Sequence, residues 1–566
     1  MMNLNIKATK ENTYDAIVVG SGISGGWAAK ELTEKGLKTL VLERGRNVEH
    51  IKDYTTATMD PWEFKHHLQT SNEMRENHPI QSRCYAFDEA TQQFWVNDKE
   101  NPYNEVKPFN WLRGYHVGGR SIMWGRQVYR WSDLDFEANA KDGHGVDWPI
   151  RYKDIAPWYA YVEKYIGVSG QAEGLPQLPD GVFLPPMEMN CLEKHVAARI
   201  KERFNDRIMT IGRAAHLTKG LNNRGPCQYR SMCARGCPYT GYFSSNGVTL
   251  PAAAATGNLT LRPDSIVLEV LYDKDKSKAT GVRVMDAHTL QTVEYYANII
   301  FLNASTLGTT WVMLNSVSDR FPNGFGNASG QLGHNLMDHH FGVGAGGEFD
   351  GFEDQYHGAG RRPNGIYIPR FRNVNEQTKQ KDYVRGFGYQ GGAGRGRGES
   401  FDGIGAALKE AQEGLGKWGM GIGSWGEHLP YFENKVSLNK DKKDKYGLAT
   451  LDIDCEFKEN EKAMRKDMQE SAKEMLEAAG LKNVHGYDSA PPPGHCIHEM
   501  GTARMGKDPK TSVLNGFNQV HEAKNVFISD GACMASSSCV NPSITYMALT
   551  ARACDHAVSE LKKGNI

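Results

Sequence analysis

Residues 14–26, "YDAIVVGSGISGG", decide the fold of this chain. The apolar, β-branched run at the start is typical of a buried strand, and the glycines after it mark a tight turn. Residues 24–36 then place apolar side chains at helical spacing and end at a glycine. A second apolar run lies within residues 38–45. Together the segments predict a βαβ unit that opens a doubly wound α/β domain.

Gly20, Gly22 and Gly25 form the pattern G-x-G-x-x-G between the predicted strand and helix. The first glycine permits the tight turn, the second lets a pyrophosphate approach the backbone, and the third lets the helix pack on the strand. Glu43 ends the second strand, where a carboxylate accepts hydrogen bonds from a ribose 2′-hydroxyl. The pattern predicts FAD or NAD rather than NADP, without distinguishing the first two. The alternative interpretation is a glycine-rich structural turn.

Length and composition exclude several kinds of protein. The 566 residues exceed what one hydrophobic core normally holds, so we expect two large domains. A net charge of -1 provides no field that attracts nucleic acid or an anionic membrane. Residues 1–20 lack the apolar core of a secretory signal, and no apolar run is long enough to cross a membrane. We therefore expect cytoplasmic folding, and we do not expect the ten cysteines to form a disulfide framework.

Two further parts of the chain resemble a known family. Residues 113–130, "RGYHVGGRSIMWGRQVYR", resemble the second signature of the glucose-methanol-choline (GMC) flavoprotein oxidoreductases, in which a glycine-rich segment runs along the flavin. Residues 495–506, "HCIHEMGTARMG", and 530–553, "DGACMASSSCVNPSITYMALTARA", are similar to the C-terminal signature. With the glycine pattern they make four matches in the family's order over residues 13–556.

The resemblance implies an α/β chain with a Rossmann-like FAD-binding domain of the GMC type and an inserted α+β, sheet-based substrate domain. The FAD-binding domain is predicted at residues 11–46, 113–165, 212–330 and 490–561. Wrapping and connecting segments are predicted at residues 47–112 and 166–211, and the substrate-binding domain at residues 331–489.

Individual elements are predicted along these segments. Successive strands are predicted at residues 259–273, 279–286 and 292–305. The substrate domain is predicted to contain glycine-rich loops at residues 385–406 and strands at residues 435–439 and 449–457. Residues 461–480 predict a charged amphipathic surface helix. A last strand and helix, which return to the nucleotide domain, are predicted at residues 524–534 and 541–561.

Within the family the chain is most similar to bacterial sugar dehydrogenases, above all the catalytic subunit of glucoside 3-dehydrogenase, and more distantly to pyranose oxidases. The resemblance assigns FAD contacts to Gly20, Gly22, Gly25, Glu43, Arg44, Arg113, Gly118, Gly119, Ser121, Trp124, Val267, Asp530, Gly531, Pro542 and Thr545. Pyranose oxidases link the flavin through a histidine at the position where this chain has Met123. Because a thioether cannot make that bond, we expect non-covalent FAD.

The resemblance implies that His498 is the catalytic base and that Asn541 holds the substrate hydroxyl from the other side. Oxidation of an alcohol moves a hydride to flavin N5 and a proton to a base, and histidine is suited to that proton near neutral pH. On sequence alone, a lone histidine such as His498 is more often a hydrogen-bonded core residue than a base, and Asn541 before Pro542 is suited to capping a helix. Residues 333–340, "GHNLMDHH", resemble the segment that follows the flavin domain in relatives, and a structural role for Asp338, His339 and His340 stays equally open. Their composition allows a metal site, which is disfavoured because their spacing matches no zinc-ligand template.

Three cysteines crowd into residues 227–238, "CQYRSMCARGCP". Cys227, Cys233 and Cys237 lack the fourth ligand of a structural zinc site, and their spacing differs from four-cysteine ferredoxins. A local disulfide is disfavoured without an export signal, and an unbonded structural role stays open. The catalytic subunits of several bacterial flavin sugar dehydrogenases carry a three-cysteine [3Fe-4S] cluster in this part of the chain. That resemblance implies the same cluster here.

The combined expectation is an FAD-dependent sugar dehydrogenase that oxidises a pyranoside hydroxyl, at C3 of a glucoside, to a 3-keto-glycoside. Electrons then pass through the [3Fe-4S] cluster to a cytochrome c acceptor. In relatives a small subunit with a twin-arginine signal carries the catalytic chain to the periplasm, which implies the same partner here. The alternatives are a pyranose-type oxidase without a cluster, a non-redox lyase on the same fold, and an NAD-dependent enzyme.

Overall fold

The computed structural model describes residues 12–355, 362–397, 403–413 and 415–566. The strands are β1 (Thr13–Val19), β2 (Thr39–Leu42), β3 (Asn104–Glu105), β4 (Thr210–Ile211), β5 (Leu259–Arg262), β6 (Ser265–Asp273), β7 (Lys278–Asp286), β8 (Thr292–Leu302), β9 (His340–Phe349), β10 (Ile366–Ile368), β11 (Phe387–Arg397), β12 (Leu415–Gly426), β13 (Lys435–Lys443), β14 (Ala449–Asp454), β15 (Lys482–Asp488), β16 (Gln519–Val520) and β17 (Ala523–Ile528). The helices are α1 (Ile23–Glu34), α2 (Asn72–Asn77), α3 (Asp133–Phe136), α4 (Ala138–Asp142), α5 (Tyr152–Ile166), α6 (Cys191–Arg203), α7 (Leu250–Ala255), α8 (Thr306–Asn315), α9 (Ala406–Glu413), α10 (Glu459–Ala478) and α11 (Ser543–Lys562).

The first sheet joins the two ends of the chain. Its strands lie in the order β16-β17-β8-β1-β2-β5, in which β17, β8, β1, β2 and β5 run parallel to one another and β16 is antiparallel to β17. Strands β6 and β7 extend it as an antiparallel hairpin that pairs with the first half of β8. Helix α1 packs against α11, so the N-terminal βαβ unit and the C-terminal helix share one core. The predicted Rossmann-like nucleotide fold is confirmed.

The second sheet is antiparallel, with the strand order β15-β9-β12-β11-β10-β4. Helices α10 and α6 cover it. The predicted surface helix is therefore α10, and Met464, Met468 and Met475 bury its apolar face against the sheet. Because a helix with one charged face needs an apolar partner for the other, the sheet explains the amphipathic pattern. The predicted sheet-based second unit is confirmed.

A third, three-stranded sheet contains β13, β14 and β3. We predicted β13 and β14 within the substrate domain, but their buried residues Val436, Leu451 and Ile453 belong to the hydrophobic core that contains the first sheet. Sequence patterning identifies such strands but not the sheet in which they pair, since the pairing is long-range. The exact domain boundaries stay a prediction.

Two local predictions were wrong. The run 259–273 is two strands, because Pro263 cannot donate to a ladder and Asp264 has a φ of 53°. The predicted glycine-rich loops at 385–406 contain strand β11, while residues 398–402 lie outside the described residues. Glycine occurs in β11 because the neighbouring strands come close: a Cβ on Gly391 would lie 2.1 Å from the carbonyl oxygen of Gly421. In the described parts of the chain, no helix has both the length and the apolar character needed to span a membrane.

Candidate active site

A cavity of about 2170 Å³ is lined by residues of both large sheets. The glycine turn after β1 forms part of its wall, and Gly22 immediately precedes helix α1. A Cβ on Gly22 would meet no atom within 4 Å, so the space beside the helix N-terminus is open. Backbone N–H groups at a helix N-terminus bind phosphate, and this geometry fits a pyrophosphate there.

Most of the residues predicted to contact FAD line this cavity. They are Gly20, Gly22, Glu43, Arg44, Arg113, Gly119, Ser121, Trp124, Val267, Asp530, Gly531 and Pro542. Gly25, Gly118 and Thr545 are absent from the lining. A Cβ on Gly25 would lie 1.9 Å from the carbonyl oxygen of Gly20, so that glycine serves the packing of α1 on the turn. The backbone nitrogen of Gly118 donates to Ser21 Oγ (2.9 Å), and Thr545 Oγ1 lies 2.7 Å from Tyr159 Oη.

Glu43 is buried at the end of β2. Its Oε2 accepts from the backbone nitrogen (3.1 Å) and hydroxyl (2.6 Å) of Ser21, and its Oε1 accepts from the nitrogen of Gly45 (3.0 Å). Burial raises the pKa of Glu43, and the bonds from Ser21 and Gly45 oppose that rise. A carboxylate offers about four lone pairs, so one remains for a ribose hydroxyl.

His498 and Asn541 meet at the wall of the cavity, although 43 residues separate them in sequence. Asn541 Nδ2 lies 3.4 Å from His498 Nε2, and Asn541 Oδ1 accepts from Gln390 Nε2 (2.7 Å). The bond from Gln390 turns the amide so that its N–H₂ group faces the histidine. The N-cap of helix α11 is Pro542, and the Asn541 side chain makes no capping bond, so the capping role proposed from sequence is absent.

A second histidine determines which ring nitrogen of His498 carries the proton. His339 Nε2 lies 3.1 Å from the carbonyl oxygen of Ser537, which accepts only, so Nε2 carries the proton. Neutral His339 therefore has a lone pair on Nδ1, and His498 Nδ1 lies 2.9 Å from it. His498 must donate from Nδ1, which leaves the lone pair of neutral His498 on Nε2, beside Asn541.

Burial keeps both imidazoles neutral at neutral pH. It holds the pKa of His498 well below its usual value near 6.5, with His339 and Arg120 acting in the same direction. It lowers the pKa of His339 to about 4. A neutral imidazole with a free Nε2 lone pair can accept a proton from a hydroxyl group.

Asp338 holds the loop that carries His498. Its carboxylate accepts hydrogen bonds from the backbone nitrogens of Gly494 (2.7 Å), Cys496 (3.1 Å) and His498 (3.0 Å). Burial and the nearby Glu499 raise the pKa of Asp338 to about 7 against these bonds. Sequence reasoning left the roles of Asp338 and His339 open and did not single out Gln390. The run of three ionisable residues at 338–340 was the signal that pointed to the first two.

Family models described as GMC oxidoreductase match residues 14–341 and residues 430–550. The chain belongs to the GMC oxidoreductase family. It is an FAD-dependent oxidoreductase that acts on hydroxyl groups of alcohols or sugars. This GMC oxidoreductase is 28% identical to a 2-methyl-1,2-propanediol dehydrogenase from Mycolicibacterium austroafricanum, over 97% of this chain and 96% of the relative.

Two other relatives are named as parts of dehydrogenases. The fructose dehydrogenase large subunit of Gluconobacter japonicus is 24% identical over 97% of this chain and 98% of its own. The gluconate 2-dehydrogenase flavoprotein of Pantoea cypripedii is 24% identical over 96% and 93%. A crystal structure of pyridoxine 4-oxidase from Mesorbium loti superposes with a TM-score of 0.59 at 14% identity, covering 96% of this chain and 99% of that one. That likeness shows the fold.

The cavity of this GMC oxidoreductase fits a polar cofactor such as FAD. Several buried polar side-chain atoms on residues that line it have no hydrogen-bond partner, among them Ser24 Oγ, Arg44 Nε, Asn303 Nδ2 and Tyr546 Oη. Buried polar groups are normally paired, so these atoms indicate a bound group that supplies partners. Arg44 and Arg113 are already engaged in part, by Asp444 (2.6 Å) and by the carbonyl oxygen of Asn101 (2.7 Å).

The three crowded cysteines lie on a loop whose residues Tyr229 and Ser231 reach the same cavity. All ten cysteines lie within the described residues, and each is unpaired, so the local disulfide is excluded. Cys227 Sγ accepts from the nitrogen of Tyr229 (3.4 Å), and Cys237 Sγ accepts from the nitrogen of Gly241 (3.3 Å). Hydrogen bonds of this kind stabilise metal-bound thiolates.

His216 is a neighbour of this loop that sequence reasoning missed. Its Nε2 lies 3.8 Å from Cys233 Sγ. Even so, the cysteines do not gather around a single ion. Among the residues that the structure describes, one group of three ligating side chains is compact enough to hold a single ion, and it is not this loop. It consists of His339, Cys496 and His498, whose ligand atoms all lie within 4.8 Å of one another.

Arg126 is a buried cation between the cavity and the cysteine loop. It lines the cavity, and its guanidinium lies 5.0 Å from the ring centroid of Tyr242. The Tyr242 hydroxyl lies 2.5 Å from the carbonyl oxygen of Ile122 and 3.1 Å from that of Cys233. Arg126 Nε and Nη1 are buried without a hydrogen-bond partner. Because an uncompensated buried charge is costly, this guanidinium indicates an anion nearby.

Proposed function

We propose that this enzyme is an FAD-dependent dehydrogenase that oxidises a secondary hydroxyl of a pyranoside, at C3 of a glucoside, to the 3-keto-glycoside. The observation that carries the proposal is the neutral His498 imidazole, whose Nε2 lone pair lies beside Asn541 at the cavity wall. The names of the fructose and gluconate dehydrogenase relatives support a sugar as the substrate class.

His498 and Asn541 have different roles at the substrate hydroxyl group. His498 Nε2 accepts the hydroxyl proton, and Asn541 Nδ2 donates a hydrogen bond to the same oxygen. Gln390 keeps the Asn541 amide in the donating orientation. General-base assistance of this kind typically contributes about 10²–10⁴-fold in rate. FAD, when bound, takes the hydride from the carbon.

The proposed electron exit is a [3Fe-4S] cluster on Cys227, Cys233 and Cys237. The N–H groups that face two of the sulfurs support it, as does the unpaired Arg126 guanidinium. A multi-iron cluster spreads its thiolates wider than one ion does, which agrees with the absence of a compact single-ion group among the described side chains of this loop. Held by these three thiolates, the cluster would supply one-electron transfer to a cytochrome c. A small subunit with a twin-arginine signal is the proposed partner for export to the periplasm.

Anaerobic purification followed by titration with a panel of glycosides tests the proposal. We expect the flavin absorbance to bleach with a glucoside and the product to be the 3-keto compound. Iron analysis should give three irons per chain, and Cys233→Ser should lose the cluster signal while its flavin is still bleached. Oxygen as the preferred acceptor, with release of hydrogen peroxide, would identify a cluster-free oxidase. Failure of every sugar and alcohol to bleach the flavin would favour a non-redox lyase.

A further inference from the structure

His339, Cys496 and His498 form a donor set of two imidazoles and one thiol, with all three ligand atoms within 4.8 Å of one another. His339 Nδ1 lies 2.9 Å and Cys496 Sγ lies 3.4 Å from His498 Nδ1. Cys496 and His498 line the cavity, so an ion can reach them from that side. None of the chemistry proposed above uses Cys496.

We infer that this triad binds a thiophilic divalent cation such as Zn²⁺, and that the bound ion inhibits the enzyme. Ideal tetrahedral zinc, with Zn–N near 2.0–2.1 Å and Zn–S near 2.3 Å, separates two nitrogens by about 3.3 Å and a nitrogen from a sulfur by about 3.6 Å. The observed separations of 2.9 Å and 3.4 Å differ from these by a few tenths of an ångström. Three protein ligands leave the fourth position to a water molecule.

The surroundings of His339 suit a metal ligand. Its Nε2–H donates to the carbonyl oxygen of Ser537 (3.1 Å), which fixes the ring and leaves Nδ1 as the free donor atom. Metal-bound histidines usually donate their other ring N–H to a carbonyl or carboxylate in this way. His339 therefore presents its lone pair at the centre of the triad before any ion arrives.

The surroundings of His498 make the ion an inhibitor. An ion on His498 Nδ1 takes the place of the proton there, and that proton moves to Nε2. The Cys496 thiol releases its proton to water when the sulfur binds, so the zinc, the thiolate and the two neutral imidazoles together carry a net charge of +1. His498 Nε2 then carries a hydrogen and cannot accept one from a hydroxyl group. That hydrogen also faces the N–H₂ group of Asn541 at 3.4 Å, which weakens the site and favours reversible binding.

The test uses the FAD-loaded enzyme with CdCl₂ as a spectroscopic probe and ZnCl₂ as the inhibitor. Cadmium titration should produce a thiolate-to-cadmium absorption band that saturates at one ion for this site. Zinc should lower the rate of flavin reduction, and a chelator should restore it. Cys496→Ser should remove the cadmium band from this site and weaken zinc inhibition at least about tenfold, relative to its own zinc-free rate. His339→Asn should weaken zinc binding as well, because an amide cannot replace the imidazole ligand.

Two controls isolate the triad. Cys84 is buried and lines the same cavity, but among the described side chains it belongs to no such group of three ligands, so Cys84→Ser should keep both the cadmium band and the inhibition. Cys233→Ser removes a thiol of the cysteine loop, so a cadmium band that persists in this variant comes from the triad and not from Cys233. Bound flavin absorbance reports that each variant is folded. Equal cadmium binding by wild type and Cys496→Ser overturns the inference.

The inhibition rests on the proposed role of His498 as the base, whereas the cadmium band does not require turnover. If the band depends on Cys496 while no sugar or alcohol reduces the flavin, the metal site stands and the proposed function fails. If sugars reduce the flavin and neither metal binds at Cys496, the proposed function stands and the metal site fails.

Discussion

At the scale of single residues, the decisive feature is the pair of imidazole rings of His339 and His498, whose planes meet at 80° with centroids 4.9 Å apart. The carbonyl of Ser537 fixes the tautomer of His339, and His339 fixes that of His498. The backbone oxygen of Ser537, a residue outside the lining of the cavity, therefore determines which nitrogen of the base is free. This control is electrostatic and depends on one proton in each ring.

We expect His339→Leu to lower kcat/KM by about 10–100-fold, because the proton on His498 is then free to sit on Nε2. His339→Asn should restore part of the loss, since its Oδ1 can accept from His498 Nδ1–H. Steady-state rates and bound flavin content measure the effect. A leucine variant with full activity would contradict the positioning role.

The acid limb of kcat/KM against pH in the wild-type enzyme should lie below pH 6.5. The base must be neutral to accept a proton, and burial lowers the pKa of His498 below that value. Activity should therefore persist as pH falls through 6.5 and decline only at lower pH. An acid limb above pH 6.5 in a pH–rate profile would show that another group limits the reaction.

At the scale of elements, the turn between β1 and α1 uses its glycines in different ways. Gly20 has a φ of 93° and lies against the backbone of Asn303, so it serves the turn itself. Gly25 lies against the carbonyl of Gly20, whereas Gly22 faces open space. One motif thus combines a packing requirement with a ligand-approach requirement.

We expect Gly25→Ala to prevent stable folding, because its Cβ would lie 1.9 Å from a backbone oxygen that cannot move independently. Gly22→Ala is the matched variant. It should fold with a free energy of unfolding within about 0.5 kcal/mol of wild type in the flavin-free form, while losing most of its bound FAD. Thermal unfolding and flavin absorbance separate the two outcomes. Full flavin content in Gly22→Ala would contradict the predicted pyrophosphate contact.

At the scale of the whole molecule, the cysteine loop and the catalytic pair lie at different parts of one cavity. Tyr229 and Ser231 bring the loop to the cavity, and Tyr242 connects it to the segment at residues 113–130. Arg126 stacks on Tyr242 and belongs to the same segment. Arg126 and Tyr242 therefore connect the cavity wall to Cys233 through direct contacts.

We expect Arg126→Met to lower the midpoint potential of the proposed cluster by tens of millivolts. For a one-electron couple, about 59 mV corresponds to a tenfold change in the equilibrium constant of reduction. Loss of a nearby positive charge disfavours the more negative, reduced cluster. Redox titration followed by electron paramagnetic resonance measures this shift. Arg320→Met, which removes an exposed arginine paired with Glu522 (3.2 Å), should leave the potential unchanged. An unchanged potential in the Arg126 variant would show that the guanidinium serves another anion.

The local pattern around residues 14–26 was sufficient to predict the nucleotide fold, because a βαβ unit requires only contiguous residues with the right period and glycines. The pattern was not sufficient for β11 or β13. The glycines of β11 are typical of a loop, and only the close approach of the neighbouring strands explains them in a strand. The sheet in which β13 pairs is set by contacts between distant parts of the chain.

The sequence by itself determined the fold class, the family resemblance and the identities of the predicted base and cysteines. These depend on residue type and short spacing, which a chain displays without folding. Only the tertiary structure decided which nitrogen of His498 is free, that Cys496 completes a ligand group, and that Arg126 Nε and Nη1 lack a hydrogen-bond partner. The first two properties arise where residues 339, 390, 496, 498 and 541 meet, and the third arises beside Tyr242 in another part of the cavity. Burial in both places sets protonation and charge.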